Sequence, residues 1–242
     1  MTGGASGIGR ACAALLADRG FDVAVIDLGS CEQTLQDVAT PGRRGLCIPA
    51  DVTDASAAAE AVEAIERELG GLDVLVTCAG GATHAGDLDR ASASPPQRLD
   101  EVVDLNLMGT IYPCQAASRV MQRAGSGRIV TIASQAGLWS GRDGAGMPYK
   151  VAKAGVVHFT RVLAAEMGPF GIRVNSVAPG FISTARTQPY WDEAGSALTD
   201  QIPLRRIGSA QEVARAVGFF VSDESAYVTG QCLSVCGGYV AW

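Results

Sequence analysis

The chain has no excess of positive charge. Against 25 Asp and Glu stand 19 Lys and Arg, a formal net charge of −6, and no basic cluster interrupts the sequence. Nucleic acid and anionic membrane surfaces are thereby excluded as main partners. No apolar run reaches the roughly 18 residues that a membrane span requires. The opening Met1-Thr2-Gly3-Gly4 lacks the basic segment and apolar stretch of a secretory signal. The seven cysteines are an odd number at scattered spacings, which suits neither a disulfide framework nor a zinc site, and no metal is expected. Even the nearest pair, Cys232 and Cys236, falls on a predicted strand. All seven read as free thiols in a reducing cytoplasm. Fixed-period repeats and linker-like stretches are also lacking, so residues 1–242 read as a single domain.

What is present is apolar. Hydrophobic residues make up 48% of the chain and charged residues 18%, enough to bury a substantial core. Apolar runs bounded by turn residues predict strands at Phe21–Asp27, Gly45–Ala50, Leu72–Thr77, Arg128–Ala133, Ile172–Ala178 and Gln231–Val235. Helix-period stretches lie between them at Ile8–Arg19, Ala55–Leu69, Gln97–Ala124, Tyr149–Met167 and Ala210–Val221, with Asp54 and Ser209 as N-caps. This alternation predicts a doubly wound parallel sheet with helices on both faces. Gly80–Pro96 and Gly180–Arg206 break it. Both follow strands, where open α/β sheets bind ligands, and the second is placed as a substrate lid over about 180–206.

Thr2-Gly3-Gly4-Ala5-Ser6-Gly7-Ile8-Gly9 opens directly into a helix. Glycines there permit a tight turn and let a pyrophosphate approach backbone amides and the positive helix end. Asp27 ends the next predicted strand. A carboxylate at that place accepts hydrogen bonds from a ribose 2′-hydroxyl and repels a 2′-phosphate, which favours NAD over NADP. Asp51-Val52, after the following strand, either reaches the adenine edge or simply forms the turn before the next helix.

Tyr149 and Lys153 stand at i and i+4, on one face of a helix. Phenols titrate near ~10 and are poor bases at neutral pH, so a fixed ammonium beside Tyr149 would favour the phenolate and ready it for proton transfer. Ser134, at the end of a strand, could hydrogen-bond the substrate oxygen. Alone, such a pair is also what an ordinary solvated helix face would carry.

In this order along the whole chain, these residues resemble the short-chain dehydrogenase/reductase family: Thr2–Gly9, Asp27, Asp51-Val52, Ala79-Gly80, Asn106, Ser134, Tyr149 with Lys153, and Pro179-Gly180 with Thr184. The resemblance implies a Rossmann-type seven-stranded sheet and a homodimer or homotetramer. It implies a cofactor site formed by Gly3, Ser6, Gly7, Ile8, Gly9, Asp27, Asp51, Val52, Ala79, Gly80, Tyr149, Lys153, Pro179, Gly180, Ile182 and Thr184. It also implies roles: Tyr149 as acid/base, Ser134 orienting the substrate oxygen, Lys153 holding the nicotinamide ribose, Asn106 anchoring a relay water, and Ile182 and Thr184 touching the carboxamide. The expected activity is NAD-dependent hydride transfer between a secondary alcohol or ketone and the nicotinamide. A non-catalytic cofactor-binding sensor or structural subunit is the alternative. A dehalogenase on the same fold is disfavoured, because such relatives replace the Lys by Arg.

The sequence departs from the family at two places. Cys78 stands where relatives carry an Asn that braces the sheet, and a thiol bonds more weakly. The strand that feeds the Gly-rich turn, central in the implied order 3-2-1-4-5-6-7, is missing, so its neighbours would expose buried edges. The expectation is a few more apolar residues upstream, with Met1 read from the GTG codon of a Val that relatives often place before this Thr. Other residues carry less. His84 reads as a solvated loop residue and His158 as packing or interface. Trp139, Met147, Phe181, Tyr190 and Trp191 border the expected cleft and hint at an apolar or ring-bearing substrate. Arg142 and Arg186 either bind an anion or are solvated, and Tyr239 and Trp242 suggest a subunit contact. The substrate itself is not legible.

Overall fold

A computed structural model describes residues 1–39, 41–81, 94–140 and 146–240. Short β-branched runs form the parallel strands β1 (Val23–Asp27), β2 (Gly45–Pro49), β3 (Val74–Thr77), β4 (Gly127–Ile132), β5 (Ile172–Pro179) and β8 (Cys232–Val235). Two short strands, β6 (Ile182–Ser183) and β7 (Gly208–Ser209), pair with each other outside the main sheet. β1 pairs with β2, and β3-β4-β5-β8 form a second ladder, all in parallel.

Successive strand residues face opposite helix layers, as the pleat requires. Val25, Val76 and Val130 pack against α1 (Gly7–Asp18) and α8 (Ala210–Val221) through Cys12, Leu16, Val213 and Val217. Ala24 and Ile26 face α3 (Ala55–Leu69) through Ala61, Val62 and Ile65. Leu75 and Ile129 meet Met121 of α5 (Gly109–Ala124) and Leu163 of α6 (Met147–Met167). With both faces covered, the strands read as continuous apolar runs. This is the Rossmann-type doubly wound sheet that the alternation predicts.

The two ladders meet at the N-terminus. Thr2 bridges Ile26 on one side and Thr77 on the other, with its amide donating to the Val76 carbonyl at 3.0 Å and its carbonyl accepting the Cys78 amide at 3.1 Å. Met1 and Thr2 therefore sit in the slot between β1 and β3, where the family resemblance implies a central strand. The Met1 ammonium donates to the Ala24 carbonyl at 2.5 Å, and burial pulls its pKa down to about 6.

Three differences from the sequence reading have physical causes. The helix expected over Gln97–Ala124 is three pieces: α4 (Pro96–Val103), a π-helical turn over Asp104–Met108, and α5, which carries Pro113 inside it. Two short helices, α2 (Glu32–Asp37) and α7 (Gln188–Thr199), lie where no periodic stretch is visible. Cys31 and Cys47 form a disulfide, with Cα atoms 6.1 Å apart, so the reading of seven free thiols fails for this pair. The bond joins the start of α2 to β2, a pairing set by tertiary proximity that the spacing does not show. No helix among the described residues is long and apolar enough to cross a membrane.

Candidate active site

The Gly-rich turn folds back on itself. Gly3 has φ +63°, and a Cβ there would lie 2.4 Å from the Ala79 amide nitrogen. Gly9 leaves no room either, since its Cβ would stand 2.1 Å from the Gly3 carbonyl oxygen. The Thr2 hydroxyl accepts the Ala79 amide at 3.3 Å, tying the turn to the segment after β3. At the head of α1 the N-cap Ser6 makes no side-chain cap bond, and the first turn contains no acidic residue. The first amides and the positive helix end are thus left to an anion from outside the helix.

Asp27 closes the turn from β1. Its carboxylate accepts the Ala5 amide and the Gly29 amide, each at 2.9 Å. Each oxygen keeps a further lone pair for a hydroxyl. The following residues Leu28, Gly29 and Ser30 carry no charge, and Arg10 on α1 is held by Asp37. Beside Asp27 lies an open depression lined by Leu28, Ile48, Pro49, Ala50, Asp51 and Ala57. The Asp51 carboxylate is engaged by the Thr53 amide and hydroxyl at 2.9 and 2.7 Å, and Val52 is buried.

The second cluster converges from the end of β4 and from α6. Ser134 follows β4 and caps a single turn, Gln135–Gly137, its hydroxyl accepting the Ala136 amide at 3.1 Å. Tyr149 lies in the first turn of α6 and is hydrogen-bonded to Ser134. Lys153, one turn later and 3% exposed, donates to the Ile132 carbonyl at 3.0 Å, with its Nζ 5.8 Å from the centre of the Tyr149 ring. Burial holds the Tyr149 phenol above its ordinary pKa, while the Ser134 bond and the Arg186 charge act in the opposite direction. That direction differs from the sequence expectation, which had Lys153 lowering it. The ammonium lies toward the ring face and is fixed on a backbone carbonyl, so desolvation outweighs it. Burial also lowers Lys153 to about 8, against the opposing effect of the facing Cys78.

Asn106 sits in the π-helical turn with its carboxamide fully used: Oδ1 accepts the Gly81 amide at 2.8 Å, and Nδ2 donates to the carbonyls of Gly81 and Val102 at 3.2 and 3.1 Å. Gly80 lies between this group and Lys153; a Cβ on it would be 2.7 Å from Asn106 Oδ1 and 3.3 Å from Lys153 Nζ.

β5 ends at Pro179, and the Gly180 amide continues onto the Val235 carbonyl at 2.9 Å. Ile182 is buried in β6, and its carbonyl accepts the Thr187 hydroxyl and the Trp191 indole. Thr184 brings its methyl to within 3.4 Å of where a Gly7 side chain would begin, so this segment lies over the phosphate-type turn. Trp139, Phe181, Tyr239 and Trp191 interlock edge to face. His84, Arg142 and Trp242 lie outside the described residues, and His158 is exposed on α6.

Sequence reasoning missed Gln135. It is buried, its Oε1 has no hydrogen-bond partner among the described residues, and that oxygen faces Gly180. Its place directly after Ser134 was the one signal available.

A family model described as enoyl-(acyl carrier protein) reductase matches residues 3–240. Cyclohexanol dehydrogenase of Rhodococcus sp. (strain TK6) is 42% identical over 253 aligned residues, which cover 98% of this chain and 94% of that protein. A 3-oxoacyl-(acyl-carrier-protein) reductase of Escherichia coli (strain K12) is 38% identical, with 98% and 95% covered. The crystal structure of a short-chain type dehydrogenase/reductase from Mycobacterium marinum superposes with a TM-score of 0.92 at 32% identity, covering 100% of this chain and 94% of that one. With its motifs in order, its sheet and helices in place, and relatives matched along nearly its whole length, the chain belongs to the short-chain dehydrogenase/reductase family of oxidoreductases.

Proposed function

We propose that the chain is an NAD-dependent dehydrogenase that oxidises secondary alcohols and reduces the corresponding ketones, with Tyr149 as acid/base. One observation carries this reading: Tyr149, Ser134 and Lys153 converge from the end of β4 and the head of α6, with the serine bonded to the phenol.

The nicotinamide cofactor suits the residues present. Uncapped amides at the start of α1 and the close-packed Gly3 and Gly9 would take its diphosphate. Ser6, Gly7 and Ile8 lie in that turn, with Thr184 above it. The Asp27 carboxylate would accept ribose hydroxyls and repel a 2′-phosphate, and the apolar depression beside it, with Asp51 and Val52 at its edge, would take adenine. Ala79 and Gly80 would pass beneath the nicotinamide ribose held by Lys153, and Pro179, Gly180 and Ile182 would flank the ring. When bound, the cofactor accepts or donates hydride.

In oxidation the Tyr149 phenolate takes the hydroxyl proton as hydride leaves the carbon. Ser134 and Lys153 hold the oxygen and the phenolate as charge shifts between them, and these interactions strengthen in the transition state. Asn106 acts on Lys153 through Gly80 and Gly81. The 42% identity to a cyclohexanol dehydrogenase and the aromatic residues Trp139, Phe181 and Tyr239 support a ring-bearing substrate. Val151 and Val162 on α6, 53% and 54% exposed, support assembly into a homodimer or homotetramer.

The test is Tyr149→Phe with cyclohexanol and NAD. Turnover should fall by at least about 10²-fold, the usual contribution of a positioned acid/base, while NADH affinity stays near that of the unaltered chain. Equal loss of both would remove Tyr149 from the assigned role.

A further inference from the structure

One charge on the lid has no task in that mechanism. Arg186 is exposed, two residues past Thr184, and its guanidinium rests on Gly81: a Cβ there would meet Nη2 at 2.3 Å and Nη1 at 2.8 Å. The adjoining Gly80 lies in the same way against Lys153 Nζ and Asn106 Oδ1. A guanidinium and an ammonium therefore flank one two-residue turn. The field of Arg186 reaches both Tyr149 and Lys153. No ion pair among the described residues involves either cation. Like charges held this close repel, and an oxidised nicotinamide would add a third positive charge beside them.

Building on the dehydrogenase reading, we infer that Arg186 is a specificity-determining residue that binds a carboxylate on the substrate, so that the substrates are hydroxy acids and oxo acids with an apolar skeleton. A single planar guanidinium matches a carboxylate with two parallel hydrogen bonds. The segments that follow β4 and β5 carry an aromatic group, Trp139 and Phe181 each meeting Tyr239 at ring-centre distances of 5.6 and 4.9 Å, which suits the apolar remainder of such a molecule. The cofactor's own diphosphate belongs elsewhere: the residue over Gly7 is Thr184, not Arg186.

The experiment measures kcat/KM with NAD for cyclohexanol and for cis-3-hydroxycyclohexane-1-carboxylate, in the unaltered chain, Arg186→Met and Arg186→Lys. The unaltered chain should favour the carboxylate by roughly 10–100-fold, the range of a charge-assisted hydrogen-bond pair. Arg186→Met should bring the ratio toward one through KM, and Arg186→Lys should restore part of it. A ratio near one in the unaltered chain overturns the inference, as does a ratio that survives Arg186→Met. A tenfold loss of NADH affinity in Arg186→Met also overturns it, since the guanidinium would then serve the cofactor. Calorimetric binding of cyclohexanecarboxylate to the chain with NADH separates this inference from the reading beneath it. Arg186-dependent binding without turnover of either alcohol supports the carboxylate site and counts against the dehydrogenase. Turnover of cyclohexanol without carboxylate binding overturns the site alone.

Discussion

The Asn106 carboxamide grips Gly81 from both sides, accepting its amide at 2.8 Å and donating to its carbonyl at 3.2 Å. The segment after β3 is therefore held by a side chain that the π-helical turn at Asp104–Met108 delivers. π-Helical turns recur at functional sites because they shift one residue out of the helical register. Gly80, next along that segment, lies between Asn106 and Lys153, so Asn106 is placed to act on the ammonium without touching substrate.

Asn106→Ala should therefore act on stability and turnover together. Losing three hydrogen bonds at a fully buried position should cost about 2 kcal/mol. A displaced Lys153 should lower kcat on the order of 10²-fold. Chemical denaturation and steady-state kinetics check the two effects; a loss of stability with kcat unchanged would confine Asn106 to a structural role.

The proposed preference for NAD rests on Asp27. Its carboxylate is positioned by the Ala5 and Gly29 amides, and no basic side chain follows it along the chain before Arg43. Asp27→Ser should weaken NADH binding by roughly 10–100-fold, the worth of hydrogen bonds to a charged group. NADPH binding should improve in the same variant, because the repulsion is gone. Parallel calorimetric titrations read both changes. Unaltered NADH affinity would release Asp27 to a purely structural part in the turn.

How much of this was legible in the sequence differs by residue. α3 and α8 were bounded correctly because Asp54 and Ser209 announce them: Asp54 accepts the Ser56 and Ala57 amides, and Ser209 and Glu212 form a reciprocal capping box. The helix over Gln97–Ala124 looked continuous because a single π-helical turn leaves the apolar pattern on both sides almost undisturbed. α7 was invisible because it buries none of its residues and so carries no apolar stripe. Helical spacing put Tyr149 and Lys153 on one face, while grouping them with Ser134 rested on the family resemblance rather than on local pattern. Gln135 could not be read, and Arg186 was left between anion binding and solvation. Their significance lies in contacts with Gly180 and Gly81, made across long stretches of chain that no local pattern encodes.

The Arg206–Glu212 pair should make the α8 cap sensitive to acid. Glu212 accepts the Ser209 amide at 2.8 Å and receives Arg206 at 2.5 Å. The Arg206 bond, then the Ser209 amide, hold its carboxyl near a pKa of about 2. A carboxyl whose folded pKa is depressed stabilises the fold above its ordinary value near 4.5 and loses that contribution as pH falls toward 2. The pair is largely solvated, so Glu212→Gln should cost no more than about 1 kcal/mol at neutral pH. The difference between variant and unaltered chain should shrink as pH drops through that window. A difference constant with pH would mean that the carboxylate charge contributes nothing.

The Met1 amine should impose a slope of the same sign near neutrality. It is buried between β1 and β3, and desolvation lowers its pKa from 8.0 to about 6. Between these values the unfolded chain binds a proton that the folded chain does not, so stability should rise as pH increases from 6 to 8, by on the order of 2 kcal/mol. Prefixing Met1 with four apolar residues moves the charge out of the slot and offers backbone partners to the facing sides of β1 and β3. That chain should melt at a higher temperature and show no such slope. Thermal unfolding of both chains at pH 6, 7 and 8 decides the matter: parallel pH profiles would mean that the amine is solvated and the slot is not closed around it.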